Sequence, residues 1–158
     1  MSAPDHRPRI LIVEDDSINA DALAAVLREN CSTVWASDGE KALVMARSQP
    51  LPDLILLDIM MPKKNGFEVC KELKANPVTA NIPVIFVTAM TDDLNEALGL
   101  GFGAVDYIYK PINPVLVRAR VAIHIRLKMQ NDFLMRLVEK RTQDLEAASR
   151  EARALLRS

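Results

Sequence analysis

The chain has 158 residues, 49% of them apolar, which is room for one α/β core of ordinary size plus an appendage. Twenty Lys and Arg against 21 Asp and Glu leave a formal net charge of −1, so no global field draws the chain to nucleic acid or to an anionic membrane. Two cysteines, Cys31 and Cys70, with no C-x-x-C, exclude a disulfide framework and a zinc site, and no apolar run reaches the roughly 18 residues of a membrane span. A cytoplasmic protein follows, with residues 1–7 as a polar, flexible N-terminus.

The first predicted strand is Ile10 to Val13, and it runs directly into the acidic cluster Glu14-Asp15-Asp16. Ala22, Leu23, Val26 and Leu27 then recur at helical spacing, with Ser17 as the expected N-cap and Asp16 either part of the acidic cluster's chemistry or no more than the start of this helix. A second strand is predicted from Thr33 to Ala36. A second helix follows, capped by Asp38 and carrying Ala42, Leu43 and Ala46 on one face. The third strand, Leu54 to Leu57, ends at Asp58 and continues as Ile59-Met60-Met61-Pro62; Val69, Cys70 and Leu73 mark the helix beyond it. Val84 to Val87 is the fourth strand, ending at Thr88, and a short helix is predicted from Asp92 to Gly99. The fifth strand, Val105 to Tyr109, ends at Lys110.

Strands alternating with helices argue for a parallel sheet covered on both faces, whose sites lie outside the carboxyl ends of its strands. Four strand ends therefore meet in one pocket, bearing Glu14, Asp15 and Asp16, then Asp58, Thr88 and Lys110. Mg²⁺ favours hard oxygen ligands and keeps several waters, so one or two carboxylates with a backbone carbonyl suffice to hold it. Lys110 adds a cation and Thr88 a hydroxyl donor. Carboxylate nucleophile, metal, cation and hydroxyl together form a set able to make an aspartyl phosphate.

Gly99-Leu100-Gly101-Phe102-Gly103-Ala104 follows a helix and precedes a strand, the reverse of a phosphate-cradling loop, and reads as a helix end and turn. His124 falls on a helix surface and His6 in the N-terminal tail, neither with a metal-like partner four residues on. Lys63-Lys64 reads as a solvated loop bordering the pocket.

Beyond Lys110, Asn113 and Pro114 signal a helix start, and no later glycine or proline interrupts the chain. Such a helix of roughly 40 residues would run about 60 Å. Leu127, Asn131, Leu134, Val138, Arg141, Leu145, Ala148, Ala152 and Leu155 alternate in steps of four and three, a coiled-coil seam with polar interruptions at Asn131 and Arg141. Residues 126–158 are thus expected to dimerise and to lead toward an output domain outside this sequence.

Val13-Glu14-Asp15-Asp16, Leu57-Asp58-Ile59-Met60-Met61-Pro62 with Asn65-Gly66, Val87-Thr88-Ala89 and Tyr109-Lys110-Pro111, in that order, resemble the receiver domain of two-component response regulators over residues 8–125. The resemblance implies a flavodoxin-like, doubly wound sheet of five parallel strands in the order 2-1-3-4-5. It implies that Asp58 accepts a phosphoryl group from a histidine kinase or phosphotransfer protein. Asp15 would bind Mg²⁺ directly, Glu14 mainly through water, and Met60 through its main-chain carbonyl. Thr88 and Lys110 would hold the phosphoryl oxygens, with Lys110-Pro111 as a cis peptide, and Tyr107 would turn inward as Thr88 moves. Signal would leave through the face of the fourth helix, fifth strand and long helix, which could also join two copies. No enzyme activity is implied beyond self-phosphorylation from a phosphodonor and autodephosphorylation.

The long helix is also similar to linkers preceding HD-GYP cyclic-di-GMP phosphodiesterase and diguanylate cyclase domains. The alternative role is a constitutive coiled-coil scaffold, with the receiver only a docking module. A Mg²⁺-dependent phosphohydrolase is disfavoured, because Met60 stands two residues after Asp58 where a general acid would be needed.

Overall fold

The computed structural model describes residues 6–89 and 101–158. The short helix expected from Asp92 to Gly99, and residues 1–5 of the expected flexible N-terminus, lie outside the described residues. Five strands, β1 (Arg9–Val13), β2 (Ser32–Ala36), β3 (Leu54–Asp58), β4 (Val84–Thr88) and β5 (Asp106–Tyr109), pair in parallel in the order β2-β1-β3-β4-β5. This is the flavodoxin-like order expected. The described helices are α1 (Ser17–Leu27), α2 (Gly39–Ala46), α3 (Gly66–Ala75) and α4 (Pro114–Arg157).

Strand residues alternate between two cores. Ile10 and Ile12 of β1, Leu54 and Leu56 of β3, and Ile85 and Val87 of β4 pack with Leu23 and Leu27 of α1 and Val117, Val121 and Ile125 of α4. Leu11, Val13, Ile55, Leu57 and Phe86 face the other way, onto Ala42 and Ala46 of α2 and Val69, Cys70 and Leu73 of α3. Burial on both faces is why these strands read as unbroken apolar runs rather than as alternating patterns. The chain therefore changes face after β2, opening a crevice between β1 and β3 at their carboxyl ends.

Helix starts fix the loops of that edge. Asp38 caps α2, its Oδ1 accepting from Lys41 N at 2.8 Å, as expected, and Asn65 caps α3 by accepting from Glu68 N at 3.0 Å. The cap of α1 is Asp16 rather than Ser17. Its carboxylate accepts from Ile18 N at 2.8 Å, and Ser17 is already helical, because the acidic side chain one position earlier reaches the second amide of the helix. Asn113 caps α4 through Val115 N at 3.0 Å and Leu116 N at 3.4 Å. Strand β5 begins at Asp106, one residue later than expected, after a turn in which Gly103 takes φ +100°; Val105 is 42% exposed.

Two compact units divide the chain, one ending at Ile125 and the other comprising Arg126–Ser158. In the second no residue is buried.

Candidate functional site

The carboxylates stand at the carboxyl ends of β1 and β3, Glu14 and Asp15 just beyond β1 and Asp58 as the last residue of β3. Glu14 and Asp58 are 1% and 4% exposed, whereas Asp15 faces solvent, and one carboxylate oxygen from each of the three falls within 4.8 Å of the others. Lys110, delivered by β5, places Nζ 2.9 Å from Glu14 Oε2 and 3.2 Å from Asp58 Oδ2. Its own N–H donates to Thr88 O at 2.9 Å, and the Lys110–Pro111 peptide is cis. The second oxygen of Asp58, Oδ1, accepts from Met60 N at 3.1 Å. Glu14 Oε1 accepts from Asp16 N at 3.3 Å.

Three acids around one lysine are electrostatically unbalanced. Burial pushes the Glu14 carboxyl above its ordinary value; the hydrogen bond from Lys110 opposes this and the charge of Asp58 adds to it. For Lys110, burial alone would lower the value, but the Glu14 hydrogen bond and the Asp58 charge outweigh it and hold the ammonium charged. A hard divalent cation fits this donor set: Glu14, Asp15 and Asp58 supply oxygens of one sign on a partly open edge, and the Met60 carbonyl stands in the adjoining loop.

The loop after Asp58 turns back sharply. Gly66 N donates to Ile59 O at 3.0 Å, and a Cβ on Gly66 would stand 2.4 Å from the Asp58 carbonyl oxygen and 2.8 Å from Ile59 Cα. Only glycine allows α3 to begin so close beneath the aspartate. Lys63 adopts φ +69°. Lys64 is not merely solvated: its Nζ bridges Glu72 of α3 at 2.6 Å and Glu40 of α2 at 3.1 Å, tying the loop to both helices.

Thr88 is fully buried at the end of β4. Tyr107 is 3% exposed and turned inward, its ring 5.4 Å from that of Phe86 and 6.2 Å from that of Tyr109. His124 is more than a helix-surface residue. Its Nε2 lies 3.0 Å from Asp106 Oδ2, while Arg120 of the same helix reaches Asp106 Oδ1 at 3.4 Å and donates to Tyr107 O, bracing α4 against the start of β5. His6 is exposed.

Sequence reasoning did not foresee the Lys110–Glu14 pair, the Lys64 bridge or Trp35, whose indole Nε1 donates to Glu14 O at 2.7 Å. The only signal for Trp35 was a large aromatic at the end of a strand next to an acidic loop.

Residues 10–122 match the family described as response regulator receiver domain, and the chain belongs to that family. It is 38% identical over 144 residues to a protein of Vibrio cholerae named probable cyclic di-GMP phosphodiesterase, a match covering 87% of this chain and 32% of that protein. It is 44% identical over 127 residues to the response regulator PleD of Caulobacter vibrioides, covering 80% of this chain and 28% of PleD. The receiver domain of Francisella response regulator 1452 superposes with a TM-score of 0.70 at 31% identity, covering 76% of this chain and 98% of that one. The chain thus spans about a third of the length of the curated relatives named here. A receiver domain is a signalling module of two-component systems. Among the described residues, no helix is long and apolar enough to cross a membrane.

Proposed function

We propose that this chain is a phosphoryl-accepting switch, with Asp58 taking the phosphoryl group from a phosphohistidine of a sensor kinase or phosphotransfer protein. The observation that carries this reading is the division of labour at one buried carboxylate: Asp58 Oδ1 is held by Met60 N at 3.1 Å and Oδ2 by Lys110 at 3.2 Å. An oxygen so placed attacks phosphorus, the P–N bond to the donor imidazole breaks, and an acyl phosphate remains on Asp58. Lys110, kept charged by Glu14, then pairs with a phosphoryl oxygen, and the Thr88 hydroxyl donates to another. Mg²⁺ held by Asp15, Asp58 and the Met60 carbonyl, with Glu14 acting through water, would offset the negative charge brought together there. Inward Tyr107, next to the phosphoryl-binding strand ends, would lock the rearrangement at the face it shares with β5 and α4.

The long helix then carries the change outward. Exposed Leu127, Leu134, Val138 and Leu145 at seam positions support pairing of residues 126–158 with a second copy, and the relative from Vibrio cholerae supports an output in cyclic-di-GMP turnover. The same exposed seam favours a second reading, a constitutive dimeric scaffold. In both readings the protein works in the cytoplasm, where its partner kinase presents the phosphohistidine.

Labelling with a small phosphodonor in Mg²⁺ is expected to give a hydroxylamine-labile adduct that Asp58→Ala abolishes. Undiminished labelling of the variant would remove Asp58 from its role. Sedimentation velocity with and without beryllofluoride separates the two readings: assembly that depends on both the mimic and Asp58 marks a gated switch, and a dimer indifferent to both marks the scaffold.

A further inference from the structure

We propose that Trp35 is a positioning residue for the metal-binding loop, fixing the Glu14–Asp15 peptide through the hydrogen bond from its indole Nε1 to Glu14 O at 2.7 Å. The inference deepens the reading of Glu14, Asp15 and Asp58 as a Mg²⁺ site and rests on it.

Strand β1 ends at Val13, which pairs with Ala36 of β2, and Glu14 N adds one more rung by donating to Ala36 O at 3.1 Å. Beyond that rung the chain turns away into α1, and among the described residues no strand N–H pairs with the Glu14 carbonyl. The indole of Trp35, from the neighbouring edge strand, supplies the donor instead. Both main-chain groups of Glu14 are thereby held by β2. On the other side, Asp16 is anchored as the α1 cap and by its N–H to Glu14 Oε1 at 3.3 Å. Asp15 sits between two anchored residues, so its solvent-facing carboxylate is aimed by their fixed backbone rather than by burial.

The position of the tryptophan otherwise has little to recommend it. Trp35 is 45% exposed on edge strand β2, where much of a large ring stays in water. Its N–H is donor-only and strictly directional, which suits it to fixing one carbonyl. Groups that orient metal ligands from behind commonly matter to affinity as much as to folding.

The test is Mg²⁺ titration of the whole chain by calorimetry for wild type, Trp35→Phe, and a form carrying benzothienylalanine at position 35, which keeps the ring shape and replaces N–H by sulfur. Loss of one neutral hydrogen bond that aims a ligand predicts affinity at least about fivefold weaker in both substituted forms. Their urea midpoints should stay near that of wild type. Because Trp35 is the sole tryptophan, its indole N–H resonance should shift as Mg²⁺ binds wild type and should not shift in Asp15→Asn. Wild-type Mg²⁺ affinity in both substituted forms would overturn the proposal while leaving the metal site standing. Weakening in Trp35→Phe alone would overturn it too, by assigning the effect to ring packing. If wild type itself binds no Mg²⁺, the metal reading fails and this inference fails with it.

Discussion

The strand-end pocket and the helical segment Arg126–Ser158 are built on opposite principles. In the pocket, two buried carboxylates share one lysine that is 96 residues from Glu14 and 52 from Asp58 in sequence, and each side chain has more than one partner. In the helical segment nothing is buried, and among its charged residues Lys128 and Asp132 pair at 2.6 Å four positions apart. The segment leaves Leu134, Val138 and Leu145 between 57% and 62% exposed, an apolar row that no part of its own unit covers. Precision in the first depends on tertiary geometry, whereas the second carries a repeating pattern that becomes useful only when something packs against it.

The largest effect is expected where the pocket has no room to give. Gly66→Ala puts a methyl 2.4 Å from the Asp58 carbonyl oxygen, with backbone rather than a pliant side chain opposing it. Unfolding in urea should show a loss of about 3 kcal/mol, and phosphodonor labelling of Asp58 should fall with it. A variant as stable as wild type would show that the loop can shift, and the pocket would then be less rigid than its contacts indicate.

The opposite prediction holds for the helix. Replacing Leu134 and Val138 together by Glu should leave urea unfolding of the unit ending at Ile125 within about 0.5 kcal/mol, since surface substitutions rarely exceed that. Self-association, read by sedimentation velocity, should weaken by about two orders of magnitude, because two central seam positions would then carry like charges. Unchanged association would shift the contact to the face near β5.

Much of this contrast was legible in the sequence, for a physical reason. Apolar runs ending in Asp58 and Thr88 announce buried parallel strands, because a strand covered on both faces has no polar positions until its carboxyl end. Asn113 and Pro114 announce the start of α4 through local rules alone. The pairings across the pocket were harder to read. Nothing local tells Lys110 to bridge Glu14 at 2.9 Å and Asp58 at 3.2 Å, or tells Trp35 to reach the Glu14 carbonyl, since both depend on how separate strands align. Ser17 lost the α1 cap to Asp16 because the helix already includes Ser17, starting one residue earlier than a Ser17 cap would require. His124, expected on a helix surface, met Asp106 because β5 begins beneath it.

The smallest expected effect tests whether the pocket stores electrostatic cost that a cation relieves. Glu14 titrates above its ordinary value of 4.5, chiefly because of burial. Between that value and the raised folded value the native chain binds more protons at Glu14 than the unfolded chain does, so stability falls as pH rises. Above the folded value the full cost persists. Lys110 cannot produce this trend, because its value is raised from 10.5 and it stays charged throughout the window. Glu14→Gln keeps an acceptor for Lys110 and removes the titration. In EDTA, from pH 4.5 upward, the variant should gain on wild type as pH rises, and Mg²⁺ should narrow the difference by favouring wild type. Urea midpoints across that range decide it. A wild type that instead gains on the variant with rising pH would mean that the Lys110 pair outweighs burial, leaving the pocket balanced without a metal.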